Sequence, residues 1–156
     1  MSAKLSAMLA AALAYAEKGW HVFPCKPRQK IPDTTRGHLD ATTDAATIRQ
    51  WWTKSPDANI AVNCEASSVV VVDIDPRHGG NETMAALIAE LGPLPATAEA
   101  RTGGKDAGRH IFFASPAGAK FRGNIGPGID VKHRGYVLLA PSVHPEGGTY
   151  QWIVSP

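Results

Sequence analysis

The chain has 156 residues, 44% of them hydrophobic and 19% charged, and a formal net charge of +2. That composition excludes a disordered chain, and the length suits one domain around a single core. So mild a charge does not announce nucleic-acid binding, which would have to rest on local clustering.

The opening stretch MSAKLSAMLAAALAYAEKGW faintly resembles a secretory leader, but its apolar residues recur as Leu5, Met8, Leu9, Ala12, Leu13 and Ala16. That is the spacing of an amphipathic helix, and Glu17-Lys18-Gly19 stops it with a left-handed cap, so it reads as a packed helix of a cytoplasmic protein. A short strand follows at 20–23, expected to stop at Pro24, and then a loop at 24–42 carrying Lys26, Arg28, Lys30 and Arg36. Thr43 is the expected cap of a second helix that turns Ile48, Trp51 and Trp52 inward before Ser55-Pro56 breaks it. The tryptophans read as core packing rather than as stacking platforms for bases. Strands are expected at 59–62 and 69–75, then a third helix capped by Asn81 with Met84, Leu87, Ile88 and Leu91 on one face. From Thr97 onward the pattern is strand and turn: 97–102, 109–114, 128–132, 136–140 and 149–153. The whole reads as an α/β domain with a mixed β-sheet core flanked by helices. No apolar run approaches the roughly 18 residues of a membrane span, so no membrane partner is expected. Cys25 and Cys64 make no CxxC pair and read as core thiols, with no zinc site.

The strand VVVVDIDP raises a question, because a run of buried valines finishes in two carboxylates. Residues two apart on a strand share a face about 6.6 Å apart along it, so Asp73 and Asp75 point one way while Val70, Val72 and Ile74 pack the other way. A pair of solvated acids capping the strand end, with an Asx turn before Pro76, is one account of them. The other account draws in Asp130, the one acid in the half-buried alternation of GIDVK. If that strand neighbours the first, three carboxylates converge and need cations. An all-oxygen set suits Mg²⁺ or Mn²⁺, and a pair of such ions suits in-line phosphoryl transfer. Between the acids lies RTGGKDAGRHIFF. Here Gly103 and Gly104 would make a tight turn with accessible N–H groups, Lys105 and Arg109 would bring charge, and His110 opens a strand and can donate to phosphate. Lys132 shares the strand face of Asp130. Tyr136 and His144 surround the Ala-Pro-Ser turn and are secondary candidates for a sugar pocket.

In this order the segments resemble the primase–polymerase domain of the archaeo-eukaryotic primase superfamily, in its bifunctional primase/polymerase N-terminal form from phage, plasmid and mobile-element replication proteins. The match runs through GWHVFPCKPRQKIP, ATTDAATIRQWW, DANIAV, VVVVDIDP, GRHIFF, GIDVK, GYVLLAPSVHP and YQWI, nearly the whole chain. The resemblance implies a primase-like catalytic fold and a template-directed nucleotidyltransferase using two divalent cations. Asp73, Asp75 and Asp130 would be the metal ligands, and His110 would contact the phosphates of the incoming nucleotide. It implies nucleoside triphosphates and a single-stranded DNA template and primer as partners, and it brings Lys30 of the basic loop near the active site. By the same resemblance, residues 1–156 form one catalytic domain, the N-terminal module of a longer protein with a helicase domain. The serine that the family usually carries two places before the histidine is Gly108 here. Two other readings of the same residues are a metal-dependent nuclease or phosphodiesterase, and a non-catalytic DNA-binding replication module.

Overall fold

The structure, a computed structural model, describes residues 5–156, so Met1 to Lys4 of the opening stretch lie outside it. Three helices and nine strands alternate as α1 (Ala7–Glu17), β1 (Val22–Cys25), α2 (Ala45–Lys54), β2 (Asn59–Asn63), β3 (Val69–Ile74), α3 (Gly80–Leu91), β4 (Glu99–Arg101), β5 (Arg109–Ala114), β6 (Asn124–Gly126), β7 (Ile129–Lys132), β8 (Tyr136–Leu139) and β9 (Gln151–Val154). The α/β class expected from sequence is the class observed. Both sheets pair antiparallel throughout: a three-stranded one in the order β1-β2-β8 and a six-stranded one in the order β6-β7-β3-β5-β4-β9.

Strand alternation divides the large sheet between two cores. Val69 and Val71 of β3, Phe112 of β5 and Ala100 of β4 join Leu9, Ala12 and Ala16 of α1, Ile48 and Trp52 of α2, and the β2 and β8 residues Ile60, Val62, Val137 and Leu139. The opposite face puts Val72, Ile74, Ile111, Phe113 and Ile129 against Met84 and Leu87 of α3. β3 is covered on both faces and paired on both edges, which is why four valines in a row are stable there.

Local chemistry moved several boundaries. β1 runs through Pro24 instead of stopping before it. It is the edge strand of its sheet, where a missing N–H is tolerated, and the Pro24 carbonyl accepts from Asp33 N–H at 2.9 Å. The cap of α2 is Asp44 rather than Thr43, its carboxylate accepting from the N–H and hydroxyl of Thr47 at 2.9 and 2.6 Å. A carboxylate accepts without a hydroxyl proton to place, and it complements the positive end of the helix. Gly79 rather than Asn81 precedes α3, because its φ of +82° turns the chain out of the short 3-10 segment Pro76–His78. Of the expected inner face of α3 only Met84 is buried; Ile88 is 36% and Leu91 77% exposed, since the helix crosses the sheet mainly at its N-terminal half. The short strand β6 escapes any period-2 reading because its ladder with β7 is irregular. Trp52 and Ile48 are buried as expected.

The second glycine of the HGG sequence explains part of the strand that ends in acids. A Cβ at Gly80 would lie 2.6 Å from the Gly128 carbonyl oxygen and 2.7 and 2.8 Å from the Asp75 carbonyl and nitrogen. Here three backbones meet: Asp75 N–H donates to Gly128 O at 2.7 Å and Gly80 N–H to Asp75 O at 2.9 Å. That contact ties the end of β3 to the turn leading into β7, and so holds Asp75 in place relative to Asp130. Gly80→Ala should lower the stability of the chain by about 2–3 kcal/mol through overpacking that backbone cannot relieve, read by denaturant unfolding.

Candidate functional site

The register of the large sheet builds the centre of the site. Asp73 of β3 stands directly opposite His110 of β5 on one side and Asp130 of β7 on the other, so the three side chains form a row on one face. Beyond His110 the row continues with Ala100, whose small side chain leaves room beside the imidazole, and then Trp152. The same face that buries Val69 and Val71 therefore ends in charge.

His110 is buried, with its side chain 7% exposed, and its Nε2 lies 3.4 Å from Asp73 Oδ1. Its Nδ1 is buried and has no hydrogen-bond partner among the described residues. Burial pushes the Asp73 carboxyl up, but the hydrogen bond and charge of His110, with Lys132 and Lys30 behind, more than offset this and hold it below the usual carboxylate range. Asp73 is therefore ionised at neutral pH. Lys132 shares the face of Asp130, with Nζ 3.9 Å from Asp130 Oδ2. Two adjoining cavities of about 260 and 350 Å³ open over the row and share Lys30, Asp73, His110 and Tyr150. Asp75, Asp130 and His144 line the first, and Lys132, Tyr136 and Leu138 line the second.

Several residues singled out in the sequence do something other than expected. Asp75 caps the 3-10 segment, one oxygen accepting from Arg77 N–H at 2.9 Å and the other 2.7 Å from His78 Nδ1. This is the strand-end turn that the sequence also allowed. Arg109 falls on the opposite face of β5 from His110 and pairs with Glu99 at 3.0 Å, so it leaves the phosphate-holding group expected of it. Gly103 serves close packing: a Cβ there would sit 2.1 Å from the Gly148 oxygen. Gly104 lines the first cavity, but the Lys105 N–H is not free, since it donates to Glu146 Oε2 at 2.8 Å. Gly108 stands against the Ile74 carbonyl, 2.7 Å from where a Cβ would be, so a serine would not fit this turn without backbone movement.

The structure adds residues with no strong signal in the sequence. Tyr150 is 2% exposed and packs beside the rings of His110 and His144. Burial, and then the Asp73 charge, raise its hydroxyl pKa, so it stays protonated. Asn59, fully buried in β2, donates to the carbonyls of Gln29 and Val143 at 3.0 and 2.8 Å and accepts from Val143 N–H at 2.9 Å. It thereby ties the loop of Lys30 and the turn of His144 to the sheet. Arg77 bridges three segments, its Nε 2.8 Å from Asp106 and its Nη2 2.6 Å from Glu146. A lone Arg, Tyr or Asn in a loop or strand carries no periodicity, which is why these were not legible.

Whether the acids suit a metal can be judged from the donors. Among the described residues no three His, Cys, Asp or Glu side chains converge into a ready cage. Asp73 and Asp130 nevertheless fit a divalent ion. They are adjacent, all-oxygen and partly exposed, at 30% and 56%, and Mg²⁺ is commonly held by one or two carboxylates together with substrate phosphates. Asp75 fits only by releasing His78. Cys25 and Cys64 are buried in separate cores, where burial pushes each thiol up to about 12.

The Glu146 carboxyl is drawn down to about 2 from its ordinary 4.5, first by its hydrogen bond to Arg77 and then by the Lys105 N–H. A lowered folded-state pKa stabilises the fold above the ordinary value, and the contribution is lost as pH falls through the folded one. Glu146→Gln should therefore melt below the wild type at pH 7. The gap should narrow below about pH 4.5 and close near pH 2, as followed by thermal denaturation across pH.

Among the described residues no helix is long and apolar enough to cross a membrane. No curated protein matches the chain. The family model described as "Bifunctional DNA primase/polymerase, N-terminal" matches residues 12–156, which takes in both sheets, all three acids and His110. The chain belongs to the bifunctional DNA primase/polymerase N-terminal family.

Proposed function

We propose that this chain is a template-directed nucleotidyltransferase that extends a DNA primer, or begins one, from nucleoside triphosphates. Membership of the family supports a DNA primase/polymerase type of function, with DNA and nucleotides as substrates. The observation that carries the finer reading is the in-register row Asp130, Asp73, His110 at the floor of a cavity. Two like charges about 5 Å apart repel by roughly 3 kcal/mol at an effective dielectric of 20, so the row favours binding of cations.

The reaction is attack of a 3′-hydroxyl on the α-phosphorus of a triphosphate, with pyrophosphate leaving. Asp73 and Asp130, joined by Asp75 once it turns from His78, would hold Mg²⁺ or Mn²⁺, which supplies charge neutralisation at the reacting phosphate and a more acidic hydroxyl. His110, its Nε2 facing Asp73 and its side chain lining both cavities, would donate to a phosphate oxygen when a triphosphate is bound. Lys132 and Lys30 bring positive charge to the two sides of the cavity and favour a polyanion there. Tyr136, Leu138 and Tyr150 wall the second cavity with rings and aliphatic carbon, a surface suited to sugar and base. A place in a longer phage- or plasmid-type replication protein with a helicase domain belongs to the same proposal and rests on the motif order of the sequence, while a cytoplasmic setting rests on reading the opening segment as a packed helix.

The test is nucleotide incorporation on primed and unprimed single-stranded DNA with Mg²⁺ or Mn²⁺. Asp73→Asn and Asp130→Asn should each lower the rate by more than the roughly 10–100-fold typical of losing an outer-shell group, in protein that circular dichroism shows to be folded. Incorporation that survives both substitutions overturns the assignment. Shortened template in place of extended primer would turn the reading to the nuclease alternative.

A further inference from the structure

The Glu146 carboxylate occupies a place built for an anion. Both of its oxygens accept from Arg77 Nη2, at 2.6 and 2.7 Å, and Oε2 also accepts from the Lys105 N–H at 2.8 Å. These donors come from the turn after β3 and from the β4–β5 turn, whereas Glu146 arrives on a third segment, the turn before β9. Gly104 keeps the place open, because a Cβ there would lie 3.2 Å from Glu146 Oε2.

Glu146 is held as a carboxylate by Arg77 and the Lys105 N–H, inside a cavity that already carries other acids. Arg77, Asp106, Glu146 and Gly104 line the same cavity as Asp73, Asp75, His110 and Asp130. Five carboxylates thus face Lys30 and Arg77, in a space whose proposed ligand is itself a polyanion. Cations at the acid row relieve three of them. Glu146 is relieved through Arg77 Nη2, the Lys105 N–H and, at 3.9 Å, His144, and a guanidinium N–H donates to a phosphate oxygen as well as to a carboxylate oxygen. Glu146 also sits at the tip of an exposed turn, followed by Gly147 and Gly148, so its side chain can leave for solvent without unpacking a core.

We propose that Arg77 and the Lys105 N–H form a subsite for the terminal phosphates of a nucleoside triphosphate, and that Glu146 fills it as a carboxylate stand-in until substrate displaces it. The proposal rests on the nucleotidyl-transfer reading and deepens it. It makes Glu146 a discriminator: a triphosphate reaches Arg77 Nη2 and the Lys105 N–H and can exchange with the carboxylate, whereas a monophosphate held at the acid row does not reach them. The donors stay satisfied in both states, so the exchange leaves no buried group unpaired.

The experiment is an equilibrium titration of the whole chain, in Mg²⁺, with a fluorescent deoxynucleoside triphosphate and the matching monophosphate. It compares wild type, Glu146→Gln and Arg77→Gln, with Arg77→Lys as a milder variant that keeps the charge but loses the guanidinium that reaches Glu146 and Asp106 together. Glu146→Gln should bind the triphosphate about five- to tenfold more tightly, and Arg77→Gln about tenfold more weakly, with the monophosphate unchanged in both. Arg77→Lys should fall between wild type and Arg77→Gln. A purely structural tie predicts otherwise: Glu146→Gln would bind triphosphate no better than wild type, and Arg77 variants would weaken both ligands alike. Either result overturns the subsite. Primer extension by the wild type, run in parallel, separates the two failures. Extension with an unhelpful Glu146→Gln sinks this proposal alone, whereas a wild type that neither extends nor binds triphosphate sinks the functional reading with it.

Discussion

The structure depends on the pairing of β3 with β5 and β7 in one register, since the residues that support the fold and those that carry the chemistry lie on the same three strands. Val71 pairs with Phe112 and Lys132, and two residues on Asp73 pairs with His110 and Asp130. A slip of one residue would send the valines to the wrong core and the acids to the α3 face. Hydrophobic burial along Val69 and Val71 thus sets where the carboxylates stand, and the charge repulsion of the row is borne by a strand that could not shift without exposing its valines.

Around that row the site is assembled from loops, and each is tethered by backbone contacts or buried polar groups rather than by apolar packing. Gly80 lets the chain after Asp75 touch Gly128, Gly103 lets the β4–β5 turn touch Gly148, and Asn59 holds both the Lys30 loop and the His144 turn. These contacts tolerate no Cβ or no loss of a hydrogen bond, so small changes far from the acids reach the cavity through geometry. Arg77 joins the same segments by charge at the exposed mouth, where an ion pair is more readily exchanged than a buried hydrogen bond.

Much of the fold was legible where periodicity was strong. The spacing of α1 and α2, the valine run of β3 and the alternation of β5 and β7 each name an element, because a buried face leaves a period in the sequence. Boundaries set by one side chain were not legible: Asp44 over Thr43, Gly79 over Asn81, and Pro24 kept inside an edge strand. β6 was not legible either, because three residues with an irregular ladder leave no period. Arg109 carries charge next to His110, but the strict alternation of β5 turns it to the other face and onto Glu99.

Sequence by itself determined the chemistry available: three carboxylates on β-rich segments, a histidine opening a strand, a glycine-rich turn, and an order of motifs that matches one family along residues 12–156. It could do so because residue type and strand period are local properties. Only the tertiary structure decided which groups meet. It put Asp73 between His110 and Asp130, brought Tyr150 and Arg77 to the cavity, and laid Glu146 on the donors of Arg77 and Lys105. Those meetings join residues dozens of positions apart, and their geometry follows from sheet register and backbone contact, neither of which leaves a period to read.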